Sequence, residues 1–183
     1  FKKEGKLYGT NTDAYGFAEN IRSAITGKHK AVVLGAGGAA KAVCWALHEL
    51  GFSEILMTNR SLDRAEALKQ SSPFPLHIGK WEQRNQWLEN ADLLVNTTSL
   101  GMKHQPPLEM DLSSLPTSAL VTDIVYNPLE TTLLAEAKAR GNAVVDGLGM
   151  LLYQAVPGFE AWFGTRPEVT PALRAHVLAG LAL

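Results

Sequence analysis

A glycine-rich run stands between an apolar segment, residues 30–34, and an alanine-rich segment, residues 39–50, and it reads Gly35-Ala36-Gly37-Gly38-Ala39-Ala40. In a G-x-G-x-x-A pattern the first glycine permits a tight turn, the second lets the backbone approach a pyrophosphate, and the final small residue lets a helix pack closely on a strand. The N-terminus of that helix offers N–H groups and a positive dipole end to phosphates. The run therefore indicates a dinucleotide site, and the alternative interpretation is a turn that only packs a helix tightly.

The residues that end the next apolar segment indicate which dinucleotide binds. A site for NAD places Asp or Glu about 20 residues beyond the glycines, where the carboxylate accepts a hydrogen bond from the ribose 2′-hydroxyl. This chain has Asn59-Arg60-Ser61 at that place and Arg64 one helical turn further on. Two guanidinium groups beside a helix start suit a 2′-phosphate, so we predict NADP as the cofactor. The alternative is that both arginines are solvated surface charges, with Glu66 available to pair with one of them.

Apolar runs alternate with helix-forming segments along the chain, and this alternation predicts the elements that position the motifs. Strands are predicted at residues 30–34, 55–58, 76–78, 92–95, 119–125 and 143–145. Helices are predicted at residues 39–50, 62–70, 81–88, 129–140, 150–163 and 171–181, with Ser61 as an N-cap. Strands that alternate with helices imply right-handed crossovers. We therefore predict an α/β fold, a doubly wound, Rossmann-like, mostly parallel sheet with helices on both faces.

The composition excludes several other classes of protein. The 183 residues include 17 Lys+Arg, 18 Asp+Glu, five His and a single Cys, for a formal charge of −1. A near-neutral chain has no basic surplus for nucleic acid, and Cys44 alone forms neither an internal disulfide nor a zinc site. No apolar run approaches the about 20 residues that cross a bilayer. We therefore expect a cytoplasmic protein that binds neither nucleic acid nor membrane, with no metal site and no catalytic histidine.

Three further segments form a specific pattern together with residues 35–40 and 59–61. They are residues 9–16, Gly-Thr-Asn-Thr-Asp-Ala-Tyr-Gly, residues 96–102, Asn-Thr-Thr-Ser-Leu-Gly-Met, and residues 146–151, Asp-Gly-Leu-Gly-Met-Leu, which Gln154 follows. In order and spacing these segments resemble the shikimate dehydrogenase family over essentially the whole chain. The resemblance implies the reversible, NADP-linked reduction of the ketone of 3-dehydroshikimate to shikimate, a step of aromatic amino-acid biosynthesis.

The resemblance also implies roles for single residues. Asp13 matches a catalytic aspartate that works together with a lysine and also binds the substrate, and Tyr126 and Gln154 match substrate-binding residues. Other matches lie by the cofactor, namely Ile124 and Gly147 against the nicotinamide and Thr97 and Ser99 near the nucleotide. Each polar side chain also has a plainer interpretation, since Asp13 could cap a helix, Tyr126 could be a turn aromatic and Gln154 could be a surface residue.

One part of the family's pattern does not appear in the sequence. The family's catalytic lysine lies in an N-terminal substrate domain ahead of the Asn-Thr-Asp motif, and Lys2, Lys3 and Lys6 do not stand in its context. Those lysines are predicted to lie on a strand or hairpin that leads into Gly9. We therefore expect residues 1–16 to link to a missing substrate domain, residues 17–147 to bind NADP, and residues 148–183 to form helices that return toward the substrate domain.

This organisation predicts a chain that holds NADP but by itself turns over negligible shikimate. Its partner is expected to be the small-molecule substrate, shikimate or 3-dehydroshikimate, and the sequence leaves a homodimer open. Two other functions stay open. One is a quinate or quinate/shikimate dehydrogenase that uses NAD, for which Asp63 would supply the acidic group, and the other is a non-catalytic NADP-binding module. Glycine-containing residues 5–16 and 147–149 are the expected hinge between domains.

Overall fold

The computed structural model describes residues 1–181 of the chain. A short antiparallel hairpin comes first, formed by β1 (Lys2–Lys3) and β2 (Lys6–Leu7). The central sheet follows, and its six strands are β3 (Lys30–Leu34), β4 (Glu54–Asn59), β5 (His77–Lys80), β6 (Leu93–Asn96), β7 (Leu120–Asp123) and β8 (Ala143–Val145). The hairpin confirms the prediction for the N-terminal lysines, and each strand of the sheet overlaps a predicted range.

All neighbouring strands of the central sheet are parallel, in the order β5-β4-β3-β6-β7-β8. The chain therefore builds the sheet outward from β3 in one direction and from β6 in the other. In open α/β sheets, ligands bind in the crevice outside the carboxyl ends of the strands where the order reverses. Here that crevice lies between the end of β3 and the end of β6, where Leu34 pairs with Asn96. The predicted doubly wound, Rossmann-like fold is confirmed.

Helices cover both faces of this sheet. They are α1 (Asp13–Ile21), α2 (Gly38–Glu49), α3 (Leu62–Ser71), α4 (Thr132–Ala139), α5 (Leu148–Phe163) and α6 (Pro171–Leu181). Successive side chains of a strand point to opposite faces, so Ala31 and Val33 pack into the buried cluster with α1, α2 and α3. Val32 and Leu34 pack into a second cluster that includes the buried residues of α4. The sheet is thus buried on both sides, as its apolar strands require.

The predicted helix at residues 81–88 is wrong. The structure has two 3₁₀ turns there, Trp81–Gln83 and Gln86–Leu88. The backbone N–H of Arg84 donates to the Trp81 carbonyl at 3.1 Å, which is the i to i+3 spacing of a 3₁₀ turn. The Arg84 side chain donates to the same carbonyl at 3.1 Å, so the acceptor that a continuing α-helix would use is already occupied.

Three predicted boundaries shift because polar side chains end or begin the elements. Strand β7 ends at Asp123, since the N–H of Val125 donates to the Asp123 carboxylate at 3.0 Å rather than to a neighbouring strand. Helix α4 begins at Thr132, because the Thr131 side chain caps it. Helix α5 begins two residues early, at Leu148, whose N–H donates to the side chain of Asp146 at 3.0 Å.

Two expectations drawn from the composition can be compared with the structure, namely the state of the single cysteine and the lack of a membrane-spanning segment. Cys44 is a buried free cysteine in α2, and burial raises the pKa of its thiol to about 12. The thiol therefore stays protonated and unreactive at neutral pH. Within residues 1–181 no helix combines the length and the apolar character that crossing a bilayer requires.

Candidate functional site

The glycine turn joins the end of β3 to the start of α2 at the crevice of the sheet. Gly35 has φ of 106°, and a Cβ there would lie 2.7 Å from the hydroxyl oxygen of Thr97, so the turn requires glycine. Gly37 is the N-cap of α2 and supplies no side-chain cap. A Cβ on Gly37 or Gly38 would meet nothing within 4 Å, so the backbone at the start of α2 is open to a ligand, and no side chain at the N-cap satisfies the N–H groups of the first turn. This cradle fits the pyrophosphate of a dinucleotide.

A cavity of about 260 Å³ lies beside the glycine turn, at the carboxyl ends of β3, β4 and β6. It brings together most of the predicted cofactor residues, and its lining is Gly35, Ala36, Gly37, Asn59, Arg60, Arg64, Trp81, Thr97, Thr98, Ser99 and Leu100. We call it the nucleotide cavity. Ser61 lies outside its lining at the N-cap of α3, where its side chain makes no capping hydrogen bond. Instead, its carbonyl accepts from the Asn59 amide at 2.9 Å, which fixes the end of β4.

The nucleotide cavity contains cationic side chains and no carboxylate. Arg60 and Arg64 are both exposed, and within residues 1–181 neither forms a salt bridge. Glu66 therefore forms no salt bridge with either arginine in the part of the chain that the structure describes. Asp63 lies in the exposed first turn of α3 and does not line the cavity. Two unpaired guanidinium groups suit a dianionic phosphate, and no acid is placed to accept from a ribose 2′-hydroxyl.

A second cavity, of about 280 Å³, holds the residues that the resemblance assigns to substrate. We call it the substrate cavity, and its lining is Asp13, Ala39, Ile124, Tyr126, Gly147, Met150, Leu151 and Gln154. Ala39 belongs to the first turn of α2, so this cavity lies beside the helix that begins at the glycine turn. Residues from four separate segments thus meet at one edge of the sheet.

Asp13 is the first residue of α1 rather than its cap, which is Thr12. The interpretation of Asp13 as a capping residue is therefore wrong. Asn11 holds this end of the helix, since its side chain accepts from the Asp13 N–H at 2.9 Å and donates to the Asp13 carboxylate at 3.2 Å. The second interaction orients the carboxylate. Its other oxygen stays available to a hydroxyl group in the cavity.

Close packing of α1 on α5 sets the position of Gln154. A Cβ on Gly16 would lie 2.7 Å from both the backbone nitrogen of Gln154 and the backbone carbonyl oxygen of Met150. The two helices therefore approach each other at Gly16 without room for a side chain. Gly16 lies three residues after Asp13, on the same face of α1. The glycine therefore brings the Asp13 carboxylate and the Gln154 amide to the same cavity.

Comparison with known proteins identifies the family. A model described as "Shikimate / quinate 5-dehydrogenase" matches residues 17–114, and one described as "Shikimate 5'-dehydrogenase C-terminal domain" matches residues 147–175. The chain belongs to the shikimate / quinate 5-dehydrogenase family. The two matches include the glycine turn, Asn59-Arg60-Ser61, Gly147 and Gln154.

Individual relatives agree with this assignment. The chain is 56% identical to "Shikimate dehydrogenase (NADP(+))" of Rhodospirillum rubrum over 97% of its own length and 65% of that relative. A Thermus thermophilus shikimate 5-dehydrogenase, solved in complex with NADP(H) and shikimate, is 36% identical with a TM-score of 0.81, covering 98% of this chain and 66% of that one. A quinate dehydrogenase of Corynebacterium glutamicum in complex with NAD is 31% identical with a TM-score of 0.86, covering 93% and 63%. The chain thus spans about two thirds or slightly less of the proteins it matches.

A buried polar network lies beside the nucleotide cavity, where two of its members, Thr98 and Leu100, belong to the lining, and sequence analysis did not assign it. The side chain of Asn96 donates to the Asp123 carboxylate at 3.0 Å and to the Leu100 carbonyl at 3.1 Å. Its carbonyl oxygen accepts from the N–H and the hydroxyl of Thr98 at 3.0 and 2.7 Å. Asp123 also accepts from the Thr131 hydroxyl at 2.8 Å. The network therefore fixes the loop after β6 and the loop after β7 relative to each other.

Burial raises the pKa of the Asp123 carboxyl above its ordinary value, and hydrogen bonds from Val125, Asn96 and Thr131 act in the opposite direction. The side chain is 1% exposed, so the cost of removing a carboxylate from water outweighs these bonds. Asp123 does not line either cavity. Its place in the structure is that of a support for the neighbouring residues Ile124 and Tyr126, which line the substrate cavity.

Proposed function

We propose that this chain is the NADP-binding part of a shikimate dehydrogenase, which reversibly reduces the ketone of 3-dehydroshikimate to shikimate. The observation that carries the proposal is the meeting of Asp13, Tyr126 and Gln154 in one cavity with Ala39, at the start of the helix that follows the glycine turn. A substrate bound to these polar groups lies next to a dinucleotide bound at that turn. The NADP-dependent relatives support the choice of reaction and cofactor.

Each part of the site has a separate task in this proposal. NADPH, when bound, would supply the hydride for the ketone carbon, and the proton for the ketone oxygen would come from the lysine that the family places beside Asp13. The Asp13 carboxylate accepts a hydrogen bond from a substrate hydroxyl, and the Tyr126 hydroxyl and Gln154 amide bind further oxygen atoms of a polyhydroxylated ring. Ile124 and Gly147 present an apolar, close-fitting wall on which a flat nicotinamide ring can lie. Correct placement of the two reactants is the chief contribution of these residues to the rate.

The arrangement of the chain gives a domain proposal as well. Residues 1–16 connect to a substrate-binding part, residues 17–147 bind the nucleotide, and residues 148–183, of which 182 and 183 lie outside the described residues, return toward the substrate. Helix α6 is tied to the start of α5 by a 2.6 Å salt bridge between Arg174 and Asp146. This contact supports the assignment of α5 and α6 to one C-terminal segment.

Two other functions receive less support from the site. An NAD-dependent quinate dehydrogenase agrees with one relative, but the acidic candidate Asp63 does not line the nucleotide cavity. A non-catalytic NADP-binding module has no use for Asp13, Tyr126 and Gln154 in one cavity. We therefore place shikimate and NADP first.

The cofactor proposal is tested by Arg60→Ala. Arg60 lines the nucleotide cavity without a salt-bridge partner, so a 2′-phosphate is its natural counter-charge. Loss of a hydrogen bond between charged groups weakens binding by about 10- to 100-fold. We expect that loss for NADP, with NAD affinity almost unchanged, when dissociation constants are measured by isothermal titration calorimetry.

Arg22→Ala is the matched control for Arg60→Ala. Arg22 is an exposed arginine that pairs with Glu19 at 2.7 Å and lines neither cavity. Its loss changes the net charge equally but should leave NADP affinity within about twofold. Equal affinity of the unaltered chain for NAD and NADP, or an unchanged NADP affinity in Arg60→Ala, would contradict the choice of NADP.

The 183-residue chain assayed alone is expected to show negligible turnover of 3-dehydroshikimate. No lysine lines the substrate cavity, so Asp13 lacks the ammonium partner that the family places beside it. The measurement is NADPH absorbance with 3-dehydroshikimate present, on a sample whose NADPH binding has been verified calorimetrically. Turnover at ordinary enzyme rates, about 1–1000 per second, would overturn this expectation.

A further inference from the structure

The nucleotide cavity has an aromatic residue that the proposed function does not use. Trp81 follows β5 and lines the cavity with Arg60, Arg64 and Leu100. Its side chain is half-buried, and both Trp81 and Leu100 pack against the buried cluster on the α4 face of the sheet. The cavity thus combines an apolar wall with two guanidinium groups. This combination suits a ligand in which a flat heterocycle lies close to a phosphate.

Contacts of Arg84 hold the indole in place. The Arg84 guanidinium lies 4.8 Å from the centroid of the Trp81 ring. The same guanidinium donates to the carbonyls of Trp81 and Glu109, each at 3.1 Å, and so ties the 3₁₀ turn to a neighbouring loop. An aromatic side chain that is already fixed loses little conformational freedom when a ligand stacks on it. The fixed Trp81 ring is therefore a better stacking surface for a ligand than a mobile surface tryptophan would be.

On the basis of the proposed NADP site, we propose that Trp81 is the stacking partner of the adenine ring. Adenosine is the part of NADP that carries the 2′-phosphate, and Arg60 and Arg64, the candidate phosphate ligands, share the cavity with Trp81. The candidate nicotinamide residues Ile124 and Gly147 line the other cavity. The base next to Trp81 is therefore the purine. Adenine is common to NAD and NADP, so Trp81 contributes affinity for both, whereas the arginines select between them.

Trp81→Ala tests this inference with adenosine 2′,5′-bisphosphate, which contains the purine and the 2′-phosphate but no nicotinamide. Removal of a stacking aromatic weakens base binding by about 5- to 100-fold. We expect a loss in that range by isothermal titration calorimetry on the full chain, and the same factor for NAD and NADP. Trp81→Phe keeps an aromatic face and should bind within about threefold of the unaltered chain.

Trp162→Ala is the control, because Trp162 is 71% exposed near the end of α5 and lines neither cavity. Its bisphosphate affinity should be unchanged. A fluorescence titration gives a second readout that does not depend on the alanine variant folding. Stacking of the purine should quench tryptophan emission in the unaltered chain, and Trp81→Phe should lose that quenching while keeping its affinity.

The outcomes separate this inference from the proposed function. If the unaltered chain binds neither NADP nor the bisphosphate, both are overturned. If it binds both ligands, but a folded Trp81→Ala binds them equally well, only the role of Trp81 is overturned. Quenching that persists in Trp81→Phe, or a loss in Trp81→Phe as large as in a folded Trp81→Ala, also contradicts stacking.

Discussion

Replacement of Asp123 by alanine is expected to destabilise the folded chain by about 3–5 kcal/mol, because three buried donors lose their acceptor together. They are the Asn96 side-chain amide at 3.0 Å, the Val125 N–H at 3.0 Å and the Thr131 hydroxyl at 2.8 Å. Each donor was taken out of water on folding and has little access to water in the variant. Urea unfolding monitored by circular dichroism measures the loss.

Asp123→Asn is the matched comparison. The amide oxygen can still accept from Asn96 and Val125, which share Oδ1 in the parent structure. The new amide nitrogen faces the Thr131 hydroxyl, which can rotate to accept instead of donating. We therefore expect Asp123→Asn to lose less than half of what Asp123→Ala loses. Similar losses in the two variants, or a loss below about 1 kcal/mol for alanine, would show that the network contributes little to stability.

Asp123 also predicts the direction of a pH effect. Its pKa is raised in the folded state above the ordinary value of 3.8, chiefly by burial. The folded chain then binds this proton more tightly than the unfolded chain. The associated stability is fully present below the ordinary pKa and is lost as pH rises through the raised pKa.

The asparagine variant has no such proton, so it isolates the effect. The stability of the parent chain relative to Asp123→Asn should decrease as the pH rises above 3.8, the ordinary pKa of the carboxyl. Urea unfolding of both proteins at a series of pH values measures the difference. A relative stability that increases with pH would mean that the hydrogen bonds outweigh burial at this carboxyl.

Sequence could predict this network only in part, because the network depends on strand register. Asn96 and Asp123 each end a short apolar strand, which marks them as polar residues at the functional edge of the sheet. Their pairing follows from the alignment of β6 with β7, where Asn96 lies opposite Asp123. The two residues are 27 positions apart in the chain, and this separation alone does not predict that they lie opposite each other. The same limit applies to Trp81, which lines the nucleotide cavity from the start of a 3₁₀ turn that has no periodic sequence pattern.

Local sequence patterns were sufficient to predict the part of the site whose residues lie close together in the chain. The glycine turn, β3 and the arginines after β4 all lie between residues 30 and 64, and their spacing predicts a shared cavity that the structure contains. Tyr126 and Gln154 differ, since no local pattern distinguishes them from a turn aromatic and a surface glutamine. Their assignment came from the family resemblance, and the structure adds that they share a cavity with Asp13.

Gly147→Ala is expected to destabilise the chain by about 2–3 kcal/mol, because overpacking at a rigid site forces backbone to move. A Cβ there would contact the Ile124 carbonyl oxygen, lie 2.5 Å from the Ile124 carbonyl carbon and lie 2.7 Å from the Val125 oxygen. All three atoms are backbone, so no side chain can rotate away. Gly180→Ala is the control, since a Cβ in that part of α6 meets nothing within 4 Å, and it should be neutral or slightly stabilising. Urea unfolding of both variants measures the contrast.

The same substitution separates the two halves of the proposed cofactor site. Gly147 and Ile124 line the substrate cavity, whereas neither lines the nucleotide cavity. A backbone shift at Ile124 should therefore displace the wall proposed for nicotinamide and leave the adenosine end intact. We expect Gly147→Ala to bind NADP about tenfold more weakly but adenosine 2′,5′-bisphosphate as tightly as the parent chain. If both ligands weaken equally, the shift spreads across the sheet edge and the two cavities act as one unit. If a folded variant binds NADP normally, Gly147 does not form the nicotinamide wall.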